Sequence, residues 1–94
     1  MAVVYAFTPH CRAVLQQIRA VYSRQETAPL FRAIRQIVAD PTLLGSGLSY
    51  HDPQHPEARF YRVPVHRSSP KFTIFYRVAD DGTVIFADVW HLPP

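Results

Sequence analysis

The stretch from Arg59 to His91 limits most strongly what this chain can fold into. It reads RFYRVPVHRSSPKFTIFYRVADDGTVIFADVWH and contains three runs rich in Val, Ile, Phe, Tyr and Thr, separated by two turn signals. These residue types suit a pleated, half-buried surface. The stretch therefore predicts three consecutive strands of an antiparallel sheet.

The Asp81-Gly82 dipeptide predicts a two-residue hairpin between the last two strands, because a type I′ turn needs positive φ at both central positions. With that turn, Val78 lies opposite Ile85 and Phe72 lies opposite His91. Side chains alternate between the two faces of a strand, so the register separates an apolar face, which helices must cover, from a mixed one. We expect the apolar face to hold Phe72, Ile74, Tyr76, Val78, Ile85, Ala87 and Val89, and the mixed face to hold Thr73, Phe75, Arg77, Phe86, Asp88 and Trp90.

Two amphipathic helices are expected before these strands, after a short N-terminal strand over residues 2–7. Thr8-Pro9 marks the start of the first helix, with Thr8 as its N-cap. Thr27-Ala-Pro29 predicts the start of the second helix, which Asp40-Pro41 ends because the residue before a proline disfavours helical dihedral angles. Residues 41–58 show no periodicity and are expected to form a long surface loop.

This order of elements predicts a two-layer α+β domain. An N-terminal strand and an antiparallel helical hairpin precede the three-stranded antiparallel run, which completes a four-stranded sheet. The chain has 94 residues, the size of a single domain, and we expect residues 1–94 to form one.

The composition favours a cytoplasmic protein with an anionic partner. Cys11 is the single cysteine, which excludes an internal disulfide; with no signal peptide and no membrane-spanning run, the cytoplasm is the expected compartment. The formal net charge is +3, and Lys71 is the one basic residue that is not arginine, the side chain whose planar fork fits phosphate. No cofactor or metal is expected, since His51 and His55 lie on a proline-containing loop without cysteine.

Two segments of the chain carry a resemblance to a known family. YAFTPHCRAVLQQIRAVY stands near the N-terminus, and RFYRVPV followed by FTIFYRVADDGTVIFADVWH stands near the C-terminus. In their order and spacing they resemble the RelE/ParE family of bacterial toxins from type II toxin–antitoxin pairs. The resemblance implies a cognate antitoxin whose extended segment wraps the toxin, and it allows for toxin–antitoxin complexes of higher order.

The resemblance implies two alternative activities. RelE-like members cleave messenger RNA on the ribosome, with basic residues and a late Tyr or His on the concave face of the sheet. ParE-like members inhibit DNA gyrase by binding it, without nuclease chemistry. We expect the first activity, with the second as the alternative; a degenerate member that only binds its antitoxin is a third.

The nuclease hypothesis assigns roles to several residues. Arg62 matches a basic position of the family's second strand, and Arg77 is a substitute cation on the same face. His91 matches the His of members that end in His-Tyr, and imidazole titrates near neutral pH. The expected catalytic residues are therefore His91, Arg77 and Arg62, and the expected RNA-binding residues are Lys71, Arg67, Phe75 and Trp90.

Three positions depart from the RelE-like pattern. Pro64 and Thr73 stand where basic residues are usual, and Leu92 stands where a tyrosine would follow the histidine. These departures favour the gyrase alternative. His91 is also open to a structural interpretation, as a strand-end histidine partly packed under the helices, and Arg77 to an ion pair with Asp88.

Overall fold

The structure is a computed structural model that describes residues 4–42, 47–48 and 58–94. Five strands form one sheet in the order β1-β5-β4-β3-β2, with β1 parallel to β5 and the other neighbours antiparallel. The expected α+β class is confirmed. In chain order the elements are β1 (Tyr5–Phe7), α1 (Pro9–Val21), α2 (Arg24–Ala39), β2 (Gly47–Leu48), β3 (Arg59–Arg62), β4 (Lys71–Val78) and β5 (Val84–Leu92).

The fifth strand was not expected from the sequence. β2 lies within the segment 41–58, and its two residues pair with Phe60 and Arg59 of β3. A strand of two residues is too short to leave an alternating pattern, which is why the sequence predicted a loop and a four-stranded sheet.

The first helix begins as predicted, whereas the second begins earlier. Thr8 Oγ1 accepts the backbone N–H of Cys11 at 3.1 Å and caps α1. Ser23, rather than Thr27, is the N-cap of α2: its Oγ accepts the N–H of Glu26 at 3.1 Å, and the Glu26 carboxylate accepts the N–H of Ser23 at 2.9 Å. This reciprocal capping box satisfies the first donors of the helix upstream of the predicted start, and Pro29 lies inside the helix.

The hairpin between β4 and β5 is not the predicted type I′ turn. Gly82 is the one residue with positive φ in the described part of the chain, at +88°, so Asp81 does not adopt the left-handed conformation. The N–H of Gly82 donates to the carbonyl of Ala79 at 2.9 Å, and the N–H of Ala79 donates to the carbonyl of Thr83 at 2.8 Å. The loop is therefore one residue longer than predicted, and its left-handed glycine is typical of three-residue hairpins.

The longer loop shifts the register near the turn, and a β-bulge restores it further along. Val78 pairs with Val84 instead of Ile85, and Tyr76 pairs with Phe86. The register then shifts between Phe75 and Tyr76, which leaves Ala87 as the extra residue of β5. Beyond the bulge the predicted pairs return, namely Phe75 with Asp88, Ile74 with Val89, Thr73 with Trp90 and Phe72 with His91.

The two helices cover one face of the sheet, which we call the helix-facing side. Phe72, Ile74, Tyr76 and Val89 lie in the core there, as predicted. The register shift exchanges two residues of β5: Phe86 is fully buried in the core, and Ile85 is outside it, so both predictions were wrong. The helices contribute chiefly Cys11, Ile18, Tyr22, Leu30, Ala33, Ile34 and Ile37 to this core.

Cys11 is a buried core residue, as expected. It is completely shielded from solvent. Burial, and secondarily the negative charge of Asp88, raise the pKa of its thiol from 9.0 to about 11. A thiol that stays protonated at neutral pH is a poor nucleophile, so this cysteine supports the fold rather than chemistry.

Replacing Phe86 by Ala should lower the free energy of unfolding by about 3–5 kcal/mol, because it empties a fully buried site. Ile85→Ala, at the neighbouring half-buried position, should cost on the order of 1 kcal/mol. Urea unfolding of both variants measures the difference. A larger loss for Ile85→Ala would contradict the observed register.

Ionisation of the Cys11 thiol should also lower the free energy of unfolding at alkaline pH. The unfolded thiol ionises near pH 9.0, whereas the folded thiol keeps its proton until about pH 11. The contribution of Cys11 to the free energy of unfolding should therefore be fully present below pH 9 and be lost as the pH rises toward 11. Urea unfolding of the protein and of Cys11→Ala at several pH values isolates this contribution; a stability difference that stays constant from pH 8 to 11 would contradict it.

Candidate functional site

A groove of about 470 Å³ lies between α1 and β5, beyond the last residue of β5 that pairs with β1. We call it the edge groove. The capped start of α1 brings the first turns of the helix over this part of β5. The groove is lined by His10, Val14 and Gln17 of α1, Lys71 and Thr73 of β4, and residues 88–92 of β5.

His91 lies on the helix-facing side and also lines the edge groove. Its Nδ1 is 3.0 Å from the hydroxyl of Tyr22, and the two rings meet edge to face at 5.5 Å. The side chain is half-buried, as the structural interpretation of a strand-end histidine expects. Because Tyr22 engages Nδ1, any proton that His91 exchanges with a ligand in the groove would pass through Nε2.

A second histidine of the edge groove, His10, contacts a carboxylate. Its Nε2 lies 3.0 Å from Oδ1 of Asp88, with 67% of the His10 side chain exposed and 13% of the Asp88 side chain exposed. Asp88 Oδ1 also accepts the backbone N–H of Val89 at 2.8 Å, and Oδ2 accepts the indole N–H of Trp90 at 3.2 Å. The carboxylate is thus held firmly beside an accessible imidazole.

The opposite face of the sheet, which we call the outer face, carries a row of side chains that leads to the edge groove. Arg62 of β3 pairs with Thr73 of β4, and Thr73 pairs with Trp90 of β5. The Arg62 guanidinium lies 5.8 Å from the ring of Phe60. Lys71 lies two residues before Thr73 on the same face, so the two cations both lie on the β4 and β3 side of the exposed indole of Trp90.

The structure does not bring the three expected catalytic residues together. Arg77 pairs with Ile85, four residues along β4 from Thr73, which places it about 13 Å from the Arg62 row along the strand. His91 belongs to the helix-facing side, whereas both arginines belong to the outer face. Lys71, Trp90 and His91 do line a common groove, with Arg62 in the adjoining row.

The expected RNA-binding residues differ in how far their side chains are exposed to solvent. Phe75 is only 6% exposed and lies under Trp90, with ring centroids 4.6 Å apart. Trp90 itself is 52% exposed. Arg67 is exposed in the turn between β3 and β4. Of the two aromatic residues, therefore, Trp90 can receive a ligand, and Phe75 supports it from beneath.

A separate apolar groove, which we call the β1 groove, lies beside the edge strand β1. It has a volume of about 220 Å³. The guanidinium of Arg19 lies 4.6 Å from the ring centroid of Phe31 at its border. An adjacent groove of about 480 Å³ on the helices carries Arg19, Arg24, Arg32 and Arg35. The β1 groove itself is lined by Tyr5, Phe7, Phe31, Ile34, Arg35 and Val38.

Among the described residues, no three or more His, Cys, Asp or Glu side chains lie together as a metal site would require. None of the described helices combines the length and the apolar character that crossing a membrane demands. His51 and His55 lie outside the described residues.

No pattern in the sequence singled out His10, and an ion pair between Asp88 and Arg77 was expected only as the alternative to a catalytic role of Arg77. His10 and Asp88 are 78 positions apart in the sequence. Their contact depends on how α1 lies over β5, which no local pattern encodes. The one available signal was the capped helix start at Thr8, which places His10 in the first turn of α1.

No protein-family model matches this sequence, and no curated protein matches it. The resemblance to RelE/ParE toxins therefore stays a prediction from motifs and element order, while the α+β architecture is what the structure establishes.

Proposed function

We propose that this protein is the toxin half of a type II toxin–antitoxin pair, which acts in the cytoplasm by cleaving messenger RNA on the ribosome. One observation carries the proposal. Lys71, Trp90 and His91 line a single groove, and Arg62 lies in the adjoining row of the outer face. Cations, an exposed aromatic ring and a titratable imidazole form a suitable set for binding and cleaving RNA.

The required chemistry fits this set. Attack of a ribose 2′-hydroxyl on the neighbouring phosphate needs a base, an acid for the leaving oxygen, and positive charge at the phosphate. His91 supplies an imidazole, the side chain that most often serves as a general acid or base. Lys71 and Arg62 supply positive charge beside the scissile phosphate. Arg77 lies about 13 Å from the Arg62 row along the direction of β4, so it contacts another phosphate of the RNA chain.

The exposed indole of Trp90 provides a surface on which a base of the bound RNA stacks. Stacking of a base on an aromatic side chain contributes about 1–3 kcal/mol and is available to single-stranded RNA, whose bases are unpaired. Phe75 packs against the indole ring of Trp90, and Asp88 accepts its N–H, so the platform is held in one orientation. This rigidity lowers the entropy that binding would otherwise cost.

The β1 groove supports the antitoxin part of the proposal. β1 is an edge strand, so one of its sides offers backbone groups to a further strand. Val4 and Tyr5 are 65% and 52% exposed beside a groove lined by aromatic and aliphatic side chains. An extended antitoxin segment with apolar residues, and with acidic residues opposite Arg35, fits this surface.

A second candidate function is inhibition of DNA gyrase by direct binding. It is favoured by the separation of Arg62, Arg77 and His91, and by Thr73 and Leu92 at positions where RelE-like members carry other residues. Under this alternative the outer face binds protein, with Trp90 as its central aromatic contact. A degenerate protein that only binds its antitoxin would use the β1 groove alone.

Induced expression without an antitoxin should therefore stop protein synthesis before DNA synthesis, because the messages are cut. His91→Ala should relieve this arrest, since removal of an acid–base group slows such cleavage by about 10²- to 10⁴-fold. His66→Gln is a matched control, because His66 is exposed and contacts Ser68 in the β3–β4 turn. Pulse labelling of protein and DNA synthesis in the same cells makes the measurement.

The opposite order of events would refute the proposal. If DNA synthesis stops first and the messages stay intact, gyrase is the target. If neither process changes on induction, the protein is not a toxin and its partner is the antitoxin alone.

A further inference from the structure

The groove of about 480 Å³ on the helices concentrates four arginines, and we call it the arginine groove. Arg19 comes from α1, and Arg24, Arg32 and Arg35 come from α2. All four residues are exposed. We infer that this groove binds the phosphate backbone of a double-helical nucleic acid without regard to its sequence. The inference goes beyond the proposed function, because it concerns binding on the helices rather than cleavage in the edge groove.

The arginines of α2 lie on one side of that helix and form an extended row. Arg24 and Arg32 are eight residues apart, and Arg35 follows three residues later, so the row extends about 16 Å along the helix axis. The phosphates of one strand repeat about every 3.4 Å along the axis of a duplex. The row therefore spans about five successive phosphates, which is longer than a single small anion would occupy.

No described carboxylate neutralises the charge of this groove. Its described lining contains neither Asp nor Glu, and none of the four arginines forms an ion pair with a described residue. Glu26, the acidic residue in the first turn of α2, accepts the backbone N–H of Ser23 and belongs to the capping box. An anionic ligand would supply the negative charge that the described residues do not.

The stability of α2 does not explain where its arginines lie. Arg24 is the first residue of the helix, where the helix dipole opposes a positive charge. Arg32 and Arg35 are three residues apart, so their like charges are neighbours on the helix surface and repel each other. Both placements lower the stability of the helix slightly, and a bound polyanion would reverse both effects.

The aromatic rings of the groove favour a nucleic-acid backbone over an acidic protein segment. The guanidinium of Arg19 lies 4.6 Å from the ring centroid of Phe31, and Tyr22 is only 9% exposed. These rings are engaged within the protein, whereas a peptide needs a pocket for an apolar anchor and an unpaired base needs an open ring for stacking. The exposed groups that remain are guanidinium forks, which fit phosphate oxygens and read no base.

The arginine groove adjoins the candidate site through Tyr22. This residue lines the arginine groove, and its hydroxyl lies 3.0 Å from Nδ1 of His91, which lines the edge groove. The contact places the arginine groove next to the end of β5. If the protein cleaves RNA as proposed, the arginine groove binds a double-helical part of the RNA while the edge groove holds the strand that is cut.

Fluorescence anisotropy with a labelled RNA duplex and a DNA duplex of the same sequence tests the inference over a series of salt concentrations. The logarithm of the binding constant should fall linearly with the logarithm of the salt concentration, because bound arginines release counterions from the phosphates. Arg32→Gln should reduce the magnitude of this slope by about 1, and equally for duplexes of unrelated sequence. Arg32→Lys, which keeps the positive charge, should restore the slope.

Arg12→Gln is the matched control, because it removes the same charge from an exposed position of α1 outside the groove. This control should leave the slope unchanged, and circular dichroism should show all three variants folded. Binding of either duplex that depends on Arg32 supports the inference, and a preference for one duplex identifies the ligand as RNA or DNA. Equal slopes for Arg32→Gln and Arg12→Gln would overturn it, since the effect would then be one of net charge alone.

Polyglutamate serves as the probe for an acidic protein segment. If its binding depends on Arg32 while that of both duplexes does not, the groove binds protein and the inference is overturned. None of these measurements uses ribosomes or cleavage. A protein that leaves messages intact but binds a duplex through Arg32 would therefore refute the proposed function and leave this inference standing.

Discussion

The pairing of β4 with β5 is the constraint on which the rest of this structure depends. It decides which side chains enter the core and which reach the outer face. Two local irregularities set it: the loop closed by the left-handed Gly82, and the bulge at Ala87. Each shifts the register by one residue, and since a shift of one residue reverses the faces, the second restores what the first has changed.

The position of the bulge determines which part of β5 lies in the core and which part lines the candidate site. Before it, β5 places Val84 and Phe86 in the core and pairs with β1. After it, β5 has no partner from β1, and α1 lies over the strand instead. Asp88 contacts His10 in the first turn of α1, and His91 contacts Tyr22 at the C-terminal end of that helix. Asp88, Trp90 and His91 all line the edge groove. The same strand serves as core at one end and as a candidate site at the other.

Local patterns predicted most of the fold because local physics decides it. The N-cap at Thr8 and the end of α2 before Pro41 follow from short-range rules. The pairing of Phe72 with His91 was predicted from the wrong turn, and it holds because the bulge at Ala87 offsets the longer loop. The prediction of the turn type was wrong because Asp-Gly fits both a two-residue loop and a loop with a single left-handed glycine. The site was harder to predict, since His10 meets Asp88 only through the packing of α1 on β5, across 78 positions of sequence.

The parallel pairing of β1 with β5 has a consequence for how the protein is made. β1 finds its place only when residues 84–86 exist, and Thr8, next to β1, donates to the carbonyl of Ala87, 79 positions later. Contacts of such sequence separation form late, because the intervening chain must first be ordered. During translation, the helices leave the ribosome long before the sheet can close. A nascent chain therefore lacks both the complete outer face and the edge groove until β5 has left the ribosome.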